Sequence, residues 1–459
     1  MALLEVKDLT VRFYTGDGVV TAVDNLSYSI DRGEKFGVVG ESGAGKSVTA
    51  LSLMRLIEEP GQIESGQIRM TDPDIVEAFR EYYDIEELTA ENKYVIDLQE
   101  LRAEHDLQSI AERLDEKDVN PAVLASGAYE AGSDLVDLAG AGHFDMADIV
   151  GHGYATELGL IDSDDFIVVD GSNEYLELML APQKAIRRIR GNHVAMIFQD
   201  AQTALNPVYT VGEQISETIR HHLDYSDKEA RERAIKLLDK VGIPEAETRY
   251  SDYPHEFSGG MQQRAIIAMA LSCDPDLLIC DEPTTALDVT IETKILELIR
   301  ELADDFDTAV QFITHDLGVI AELCNRVMVM YAGKPVEKAS VEQLYYEPKH
   351  PYTVGLMSSI PRIGDTRERL QTIPGTMPDL VQLPSGCSFH PRCPYAEEAC
   401  VRKEPQMVNP ETGELVSDAN ERSAACLAYT GDLEKELGYE VVVRETDQEI
   451  AKPVEGDYE

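Results

Sequence analysis

The chain has 459 residues, with 86 Asp and Glu against 40 Lys and Arg and a net charge of −46. That balance opposes partners gripped through a phosphate backbone, which need cationic side chains to displace counterions. A hydrophobic content of 43% supports a packed core and excludes a disordered chain.

No apolar run reaches the roughly 18 residues of a membrane span. The opening MALLEVKDLT lacks the basic and apolar regions of a signal peptide. The expectation is a cytoplasmic chain of two or three domains that does not itself cross a bilayer.

In chain order, the first informative element is EKFGVV, Glu34 to Val39, a short apolar strand. GESGAGKS follows at Gly40, Glu41, Ser42, Gly43, Ala44, Gly45, Lys46 and Ser47, matching the phosphate-loop pattern G-x-x-x-x-G-K-[ST] throughout. Its glycines let successive backbone N–H groups turn inward as an anion nest. Lys46 brings charge to the β- and γ-phosphates, and the Ser47 hydroxyl suits Mg²⁺. Val48 continues into a helix whose N-terminus favours the same anion.

Next comes the densest acid. Residues 71–170 carry 26 Asp and Glu against five Lys and Arg. The simplest reading is a solvated face, and an acidic, lysine-poor, tryptophan-free surface looks like the proteome of an extreme halophile, where salt screens self-repulsion. Leu98, Leu101, Leu107 and Ile110 predict helix between Asp97 and Glu116. A Gly- and Ala-rich part, Ala125 to Gly142, follows; the stretch reads as an ordered peripheral subdomain or a solvated elaboration of the surface.

Beyond it, strand Val194 to Phe198 ends at Gln199, whose amide suits Mg²⁺ or a water. Ser226-Asp227-Lys228-Glu229 predicts a capping box, opening a helix with Ala234, Leu237, Leu238 and Val241 on one face and Gly242 as its stop. FSGGMQQR, Phe257 to Arg264, sets Ser258, Gly259 and Gly260 at another helix start, a second anion-binding terminus. LLICDE, Leu277 to Glu282, is a buried strand ending in two carboxylates. Asp281 would hold Mg²⁺ through water, and Glu282 would orient and deprotonate an attacking water. Strand Ala309 to Ile313 leads to His315, a neutral hydrogen-bonding group for a γ-phosphate.

The order of these motifs, each at a strand end or helix start, resembles the nucleotide-binding subunit of an ABC transporter over roughly residues 1–335. The resemblance implies an α/β P-loop NTPase cassette with a RecA-like core, an antiparallel β part and a helical subdomain. It implies Walker A at Gly40–Ser47, the Q-loop at Gln199, and the signature at Ser258, Gly259, Gly260 and Gln262. Walker B is Asp281 with catalytic Glu282, the D-loop is Ala286-Leu287-Asp288, and the switch histidine is His315. Phe13 is the adenine-stacking aromatic by spacing, with Tyr14 the runner-up. The signature departs from LSGGQ at Phe257 and Met261, while its Ser-Gly-Gly is intact.

Ser65 to Ile68, Arg190 to Pro207, and the tail from Ile373 to Asp379 through CSFHPRCPYAEEAC to Cys426 resemble the dipeptide/oligopeptide (peptide/nickel) importer branch, raising the cover to about four-fifths of the chain. In relatives the Ile68–Met70 strand is soon followed by a hairpin Asp-Gly, matched here to Asp170-Gly171, so 71–169 reads as an acidic insertion. Residues 336–459 read as the branch's C-terminal extension.

Cys273, Cys280 and Cys324 fit as small buried hydrophobes. Cys387, Cys393, Cys400 and Cys426, spaced C-x5-C-x6-C-x25-C, suit a [4Fe–4S] cluster, as in some relatives, or zinc, or no metal.

The implied function is ATP hydrolysis, with Mg²⁺, powering dipeptide or oligopeptide uptake from the cytoplasmic face of the membrane. Implied partners are two transmembrane permease subunits, a second ABC subunit that differs from this one, as is common in the branch, and an extracellular solute-binding protein. Oligosaccharide or nickel uptake is the nearest alternative. A soluble ABC ATPase of DNA repair or translation is disfavoured by charge, by the single cassette and by the lack of sustained heptads.

Overall fold

A computed structural model describes residues 2–79, 94–117, 119, 124, 134–140, 144, 146–151, 154–160, 166–169, 175–179, 181, 183–199, 204–284, 289–358, 373–416, 420–433, 437, 439–440 and 452–453. The chain forms two compact units. The first comprises Met1–Ser29, Gly40–Ala185 and Met328–Glu459, the second Ile30–Val39 and Ile186–Val327.

The second unit is built on parallel strands in the order Lys35–Val39, Ala309–Thr314, Leu277–Asp281, Val194–Ile197. The last three are buried at every residue. Parallel sheets covered on both faces read as continuous apolar runs rather than alternating ones, which is how VAMI, LLICD and AVQFIT are written. Gln199, Glu282 and His315 all follow the carboxyl ends of these strands, the edge where open α/β sheets bind ligands.

The same unit holds a helical part. Helix Asp227–Lys240 starts with the expected capping box, Ser226 accepting from the Glu229 N–H and the Glu229 carboxylate accepting from the Ser226 N–H. Val241 caps the other end, and Gly242 takes φ +75° to turn the chain. Helix Val211–His222 starts on Thr210, whose hydroxyl accepts from the Glu213 N–H. It packs against Tyr250, whose hydroxyl lies 2.9 Å from the Ser216 hydroxyl.

The first unit opens with an antiparallel sheet in the order Gly18–Asp31, Ala2–Thr15, Gly61–Met70, Leu176–Glu177. Leu4 faces Met70 and Phe13 faces Gly61 across the central pair. The chain leaves the sheet after Met70 and rejoins it where Arg69 and Met70 pair with Glu177 and Leu176. Residues 71–175 are therefore a long excursion from one edge.

That excursion has its own core, including Leu98, Ile110, Leu114, Leu135 and Ile149. The expected helix over Asp97–Glu116 is two helices, Leu98–Glu104 and Leu107–Asp115. Asp106 is extended and accepts from the Ser109 N–H, so it breaks the first helix by capping the second. Most of Ala125–Gly142, together with Asp170-Gly171, lies outside the described residues. In the C-terminal part, Lys334–Ser340 pairs antiparallel with Ser423–Ala424.

Candidate functional site

The phosphate loop belongs to the first unit. Gly45 takes φ +97°, and a Cβ there would stand 2.3 Å from the Ala22 carbonyl, so only glycine fits. Gly45 is also the N-cap of helix Lys46–Leu53, and no side chain caps it. A helix N-terminus left uncapped by protein side chains is a ready anion site.

Lys46 is buried. Its ammonium donates to the Gly40 and Glu41 carbonyls at 2.8 and 3.1 Å, folding across the loop. Gly43 has open space around it and Ser42 is exposed.

In the second unit, three predicted side chains meet. Glu282 Oε2 accepts from the Gln199 amide at 3.0 Å, and Oε1 lies 3.3 Å from His315 Nδ1. Glu282 holds φ +44°, a left-handed conformation costly for a residue with a Cβ, while its N–H donates to the Ile313 carbonyl at 2.9 Å. The turn after the strand thus aims the Glu282 carboxylate between the ends of its two neighbours. Asp281, one residue earlier, is buried.

The signature segment is also formed as expected. Ser258 caps helix Gly259–Ala270, accepting from the Met261 N–H, and Gly259 is unobstructed. Gln262 turns inward and donates to the Pro254 carbonyl at 2.7 Å, holding the turn that precedes the helix. Phe257, in place of the usual leucine, is buried. Asp288 and the rest of Ala286-Leu287-Asp288 lie outside the described residues.

Phe13 is half-buried, and its ring packs where a Gly61 Cβ would otherwise sit. Tyr14 is 45% exposed and donates to Glu64 at 2.7 Å.

Of the isolated cysteines, Cys273 and Cys280 are buried and Cys324 is half-buried. Burial pushes all three thiols up, as a small-hydrophobe role requires. Cys387, Cys393, Cys400 and Cys426 line one cavity of about 20 Å³, walled also by His350, Phe389 and Leu427. Burial pushes the Cys387 thiol up to about 11 and those of Cys393 and Cys426 to about 12. The expected metal centre is not formed as drawn from the spacing. Among the described residues, no three His, Cys, Asp or Glu side chains are placed to hold a metal ion.

One pair was not visible in the sequence. Arg392 reaches the phosphate loop from the Cys387–Cys393 stretch, donating to the two Glu41 carboxylate oxygens at 2.7 and 3.0 Å. The only hint was a single arginine between two cysteines in an acidic chain.

Comparison with known proteins places the chain in a family. A model of the ABC transporter family matches residues 23–133 and 169–285, passing over 134–168. A model described as the oligopeptide/dipeptide transporter C-terminal region matches residues 336–400. The oligopeptide transport ATP-binding protein OppD of Haemophilus influenzae is 39% identical over 87% of this chain and 91% of its own length. The chain belongs to the ABC transporter ATP-binding proteins, in their oligopeptide transport family.

OppD of Escherichia coli is 37% identical over 87% of this chain and 88% of its own, and AppD of Bacillus subtilis 37% over 90% and 95%. A solved ATP-binding cassette with ADP and phosphate bound is 19% identical, over 74% of this chain and 98% of that one, at a TM-score of 0.44. As an ABC cassette the chain is an ATPase working with ATP and Mg²⁺. Among the described residues no helix is long and apolar enough to cross a membrane.

Proposed function

We propose that this chain hydrolyses ATP to drive uptake of oligopeptides or dipeptides through partner permeases, from a peripheral seat on the cytoplasmic face of the membrane. The Gln199–Glu282–His315 constellation at a parallel-sheet edge carries the ATPase part of the reading. The names of the relatives, as oligopeptide transport ATP-binding proteins, and the matched C-terminal region carry the peptide part.

In this reading Lys46 releases the Gly40 and Glu41 carbonyls to take the β- and γ-phosphates. Ser47, Asp281 and Gln199 supply the oxygen donors that suit Mg²⁺. Glu282 orients and deprotonates the water, His315 contacts the γ-phosphate, and Phe13 stacks on adenine. Ser258, Gly259 and Gly260, with Asp288, serve the nucleotide held by a second cassette, so two cassettes sandwich two nucleotides. That cassette is a different subunit in our reading, and an external binding protein selects the cargo.

Deleting the gene should abolish uptake of a labelled tripeptide, and wild type but not Glu282→Gln should restore it. Unchanged peptide uptake with loss of oligosaccharide or nickel uptake would move the assignment to that cargo.

Cys387, Cys393, Cys400 and Cys426 form the donor set we assign to a [4Fe–4S] cluster. As placed, the four thiols border one cavity but do not form a metal-binding group, so a cluster would have to draw their sulfurs together; when bound it would supply one-electron chemistry. Anaerobic protein with neither stoichiometric iron nor broad absorbance near 400 nm would overturn this.

The acidic surface is read as an adaptation to high salt. Lowering salt from about 1 M to ~0.1 M extends the Debye length from about 3 to 10 Å and should depress the melting temperature. A flat melting temperature over that range would remove the reading.

A further inference from the structure

The phosphate loop contains a carboxylate, Glu41, although the loop must accept a polyanion. Left uncompensated, that charge would oppose the ligand, since like charges close together in a partly desolvated site repel strongly.

The compensation comes from far along the chain. Arg392 has a side chain only 6% exposed and grips Glu41 with both guanidinium arms, at 2.7 and 3.0 Å. Its Nε donates to the Pro374 carbonyl at 2.9 Å, and one arm also lies 3.4 Å from the Tyr331 hydroxyl. A bidentate fork of this kind fixes orientation as well as charge.

The backbone of Glu41 is held from the same side. Its N–H donates to the Tyr352 hydroxyl at 3.0 Å. Tyr331, Tyr352 and Phe389 pack as a ring cluster with centroids 4.7 to 5.4 Å apart, which leaves the Tyr352 hydroxyl little freedom. Nearby, the extension touches the first hairpin, where the Thr21 N–H donates to the Leu380 carbonyl and Val381 fills the space beside Gly18.

We propose that Arg392 is a positioning residue for nucleotide binding: it neutralises Glu41 and holds the first residues of the phosphate loop in the shape that accepts phosphate. The proposal rests on the reading of Gly40–Ser47 as the nucleotide site. Arg392 itself acts only through Glu41. Its short helical turn, His390–Arg392, ends on Cys393, whose N–H donates to the His390 carbonyl, so the cysteine cavity and the loop's clamp share one piece of backbone.

The test is MgADP binding to the purified full-length chain by titration calorimetry, with thermal unfolding followed alongside. If the loop is competent about one-tenth of the time without its clamp, Arg392→Met should weaken binding about tenfold. Adding Glu41→Gln to Arg392→Met should restore affinity to within about threefold of Glu41→Gln alone, because the uncompensated charge has gone. A purely structural role in holding the extension would lower the melting temperature but would not be rescued by Glu41→Gln.

Wild-type affinity in Arg392→Met, or an equal loss in both backgrounds, overturns the proposal. If Arg392→Met does not fold, Arg392→Lys decides. It keeps the charge but not the fork, so a loss of threefold or more supports the clamp and wild-type affinity rejects it. Lys46→Ala separates the two readings. Undiminished MgADP binding in that variant removes the nucleotide site itself, whatever Arg392 does.

Discussion

The phosphate loop and the Gln199–Glu282–His315 group are held in opposite ways. The loop is tied at Glu41 by residues 311 and 351 positions away, and its lysine is buried against its own carbonyls. In the other group Glu282 joins Gln199 and His315, and the His315 side chain is 70% exposed. A binding surface gains affinity from being preformed, because little ordering remains to be done on binding. A hydrolytic group that must not fire prematurely gains from being left open until a ligand and partner complete it. In the reading proposed above, that contrast separates nucleotide binding from hydrolysis.

The largest expected effect breaks the open side. Glu282→Gln keeps the shape and can still accept from Gln199, but it cannot take a proton. A positioned general base contributes about 10²–10⁴-fold, so ATP turnover should fall by at least a hundredfold while MgADP affinity stays within twofold. Residual turnover near wild type would return the base role to another group.

A second substitution asks whether the excursion from the first sheet matters to either region. Leu114 is fully buried in its separate core. Leu114→Ala should cost about 2–5 kcal/mol of that core's stability, seen as early melting or faster amide exchange over 98–115. Nucleotide affinity should not move. A parallel loss of binding would show that the excursion is energetically part of the cassette.

How much of this was legible beforehand follows from sequence distance. Apolar runs ending in a glutamine, a carboxylate pair or a histidine are local signals, and parallel pairing brings their ends to one edge. The Ser226–Glu229 capping box spans four residues and formed as written. Asp106 shows the limit of periodicity, since Leu98 to Ile110 keep helical spacing across a break that one capping side chain imposes. Arg392 was illegible for a stronger reason. Nothing local marks an arginine as the partner of a carboxylate in another segment, and only the folded extension brings them together. The four cysteines fall between: their spacing suited a cluster, zinc or no metal, and the fold gathers them around one cavity without forming a metal-binding group among the described residues.

A smaller effect probes the second unit away from the trio. Burial, with His221 and Arg188 adding to it, pulls His222 down to about 4. The folded chain therefore refuses a proton that the unfolded chain accepts. Stability is unaffected above the ordinary histidine range and falls as pH drops from about 6.5 toward 4. His222→Gln lacks this penalty, so the difference in unfolding free energy between variant and wild type should shift in the variant's favour by about 1–2 kcal/mol between pH 7.5 and 5, allowing for partial exposure. A pH-independent difference would mean that His222 titrates as freely in the fold as outside it.

The smallest effect sharpens the comparison most. Tyr352→Phe removes only the oxygen that accepts the Glu41 N–H, leaving the ring cluster and the Arg392 fork in place. An orphaned N–H costs about 1 kcal/mol or somewhat more when water cannot reach it. The loop should relieve this by turning the N–H away, so MgADP affinity should drop about three- to tenfold at nearly constant melting temperature. At saturating ATP every site is filled whatever its affinity, so turnover there should stay within twofold. That split, weaker binding with unchanged saturated turnover, is what a braced binding surface and a separately held hydrolytic group require. Equal losses in both would mean that one rigid framework serves binding and hydrolysis alike.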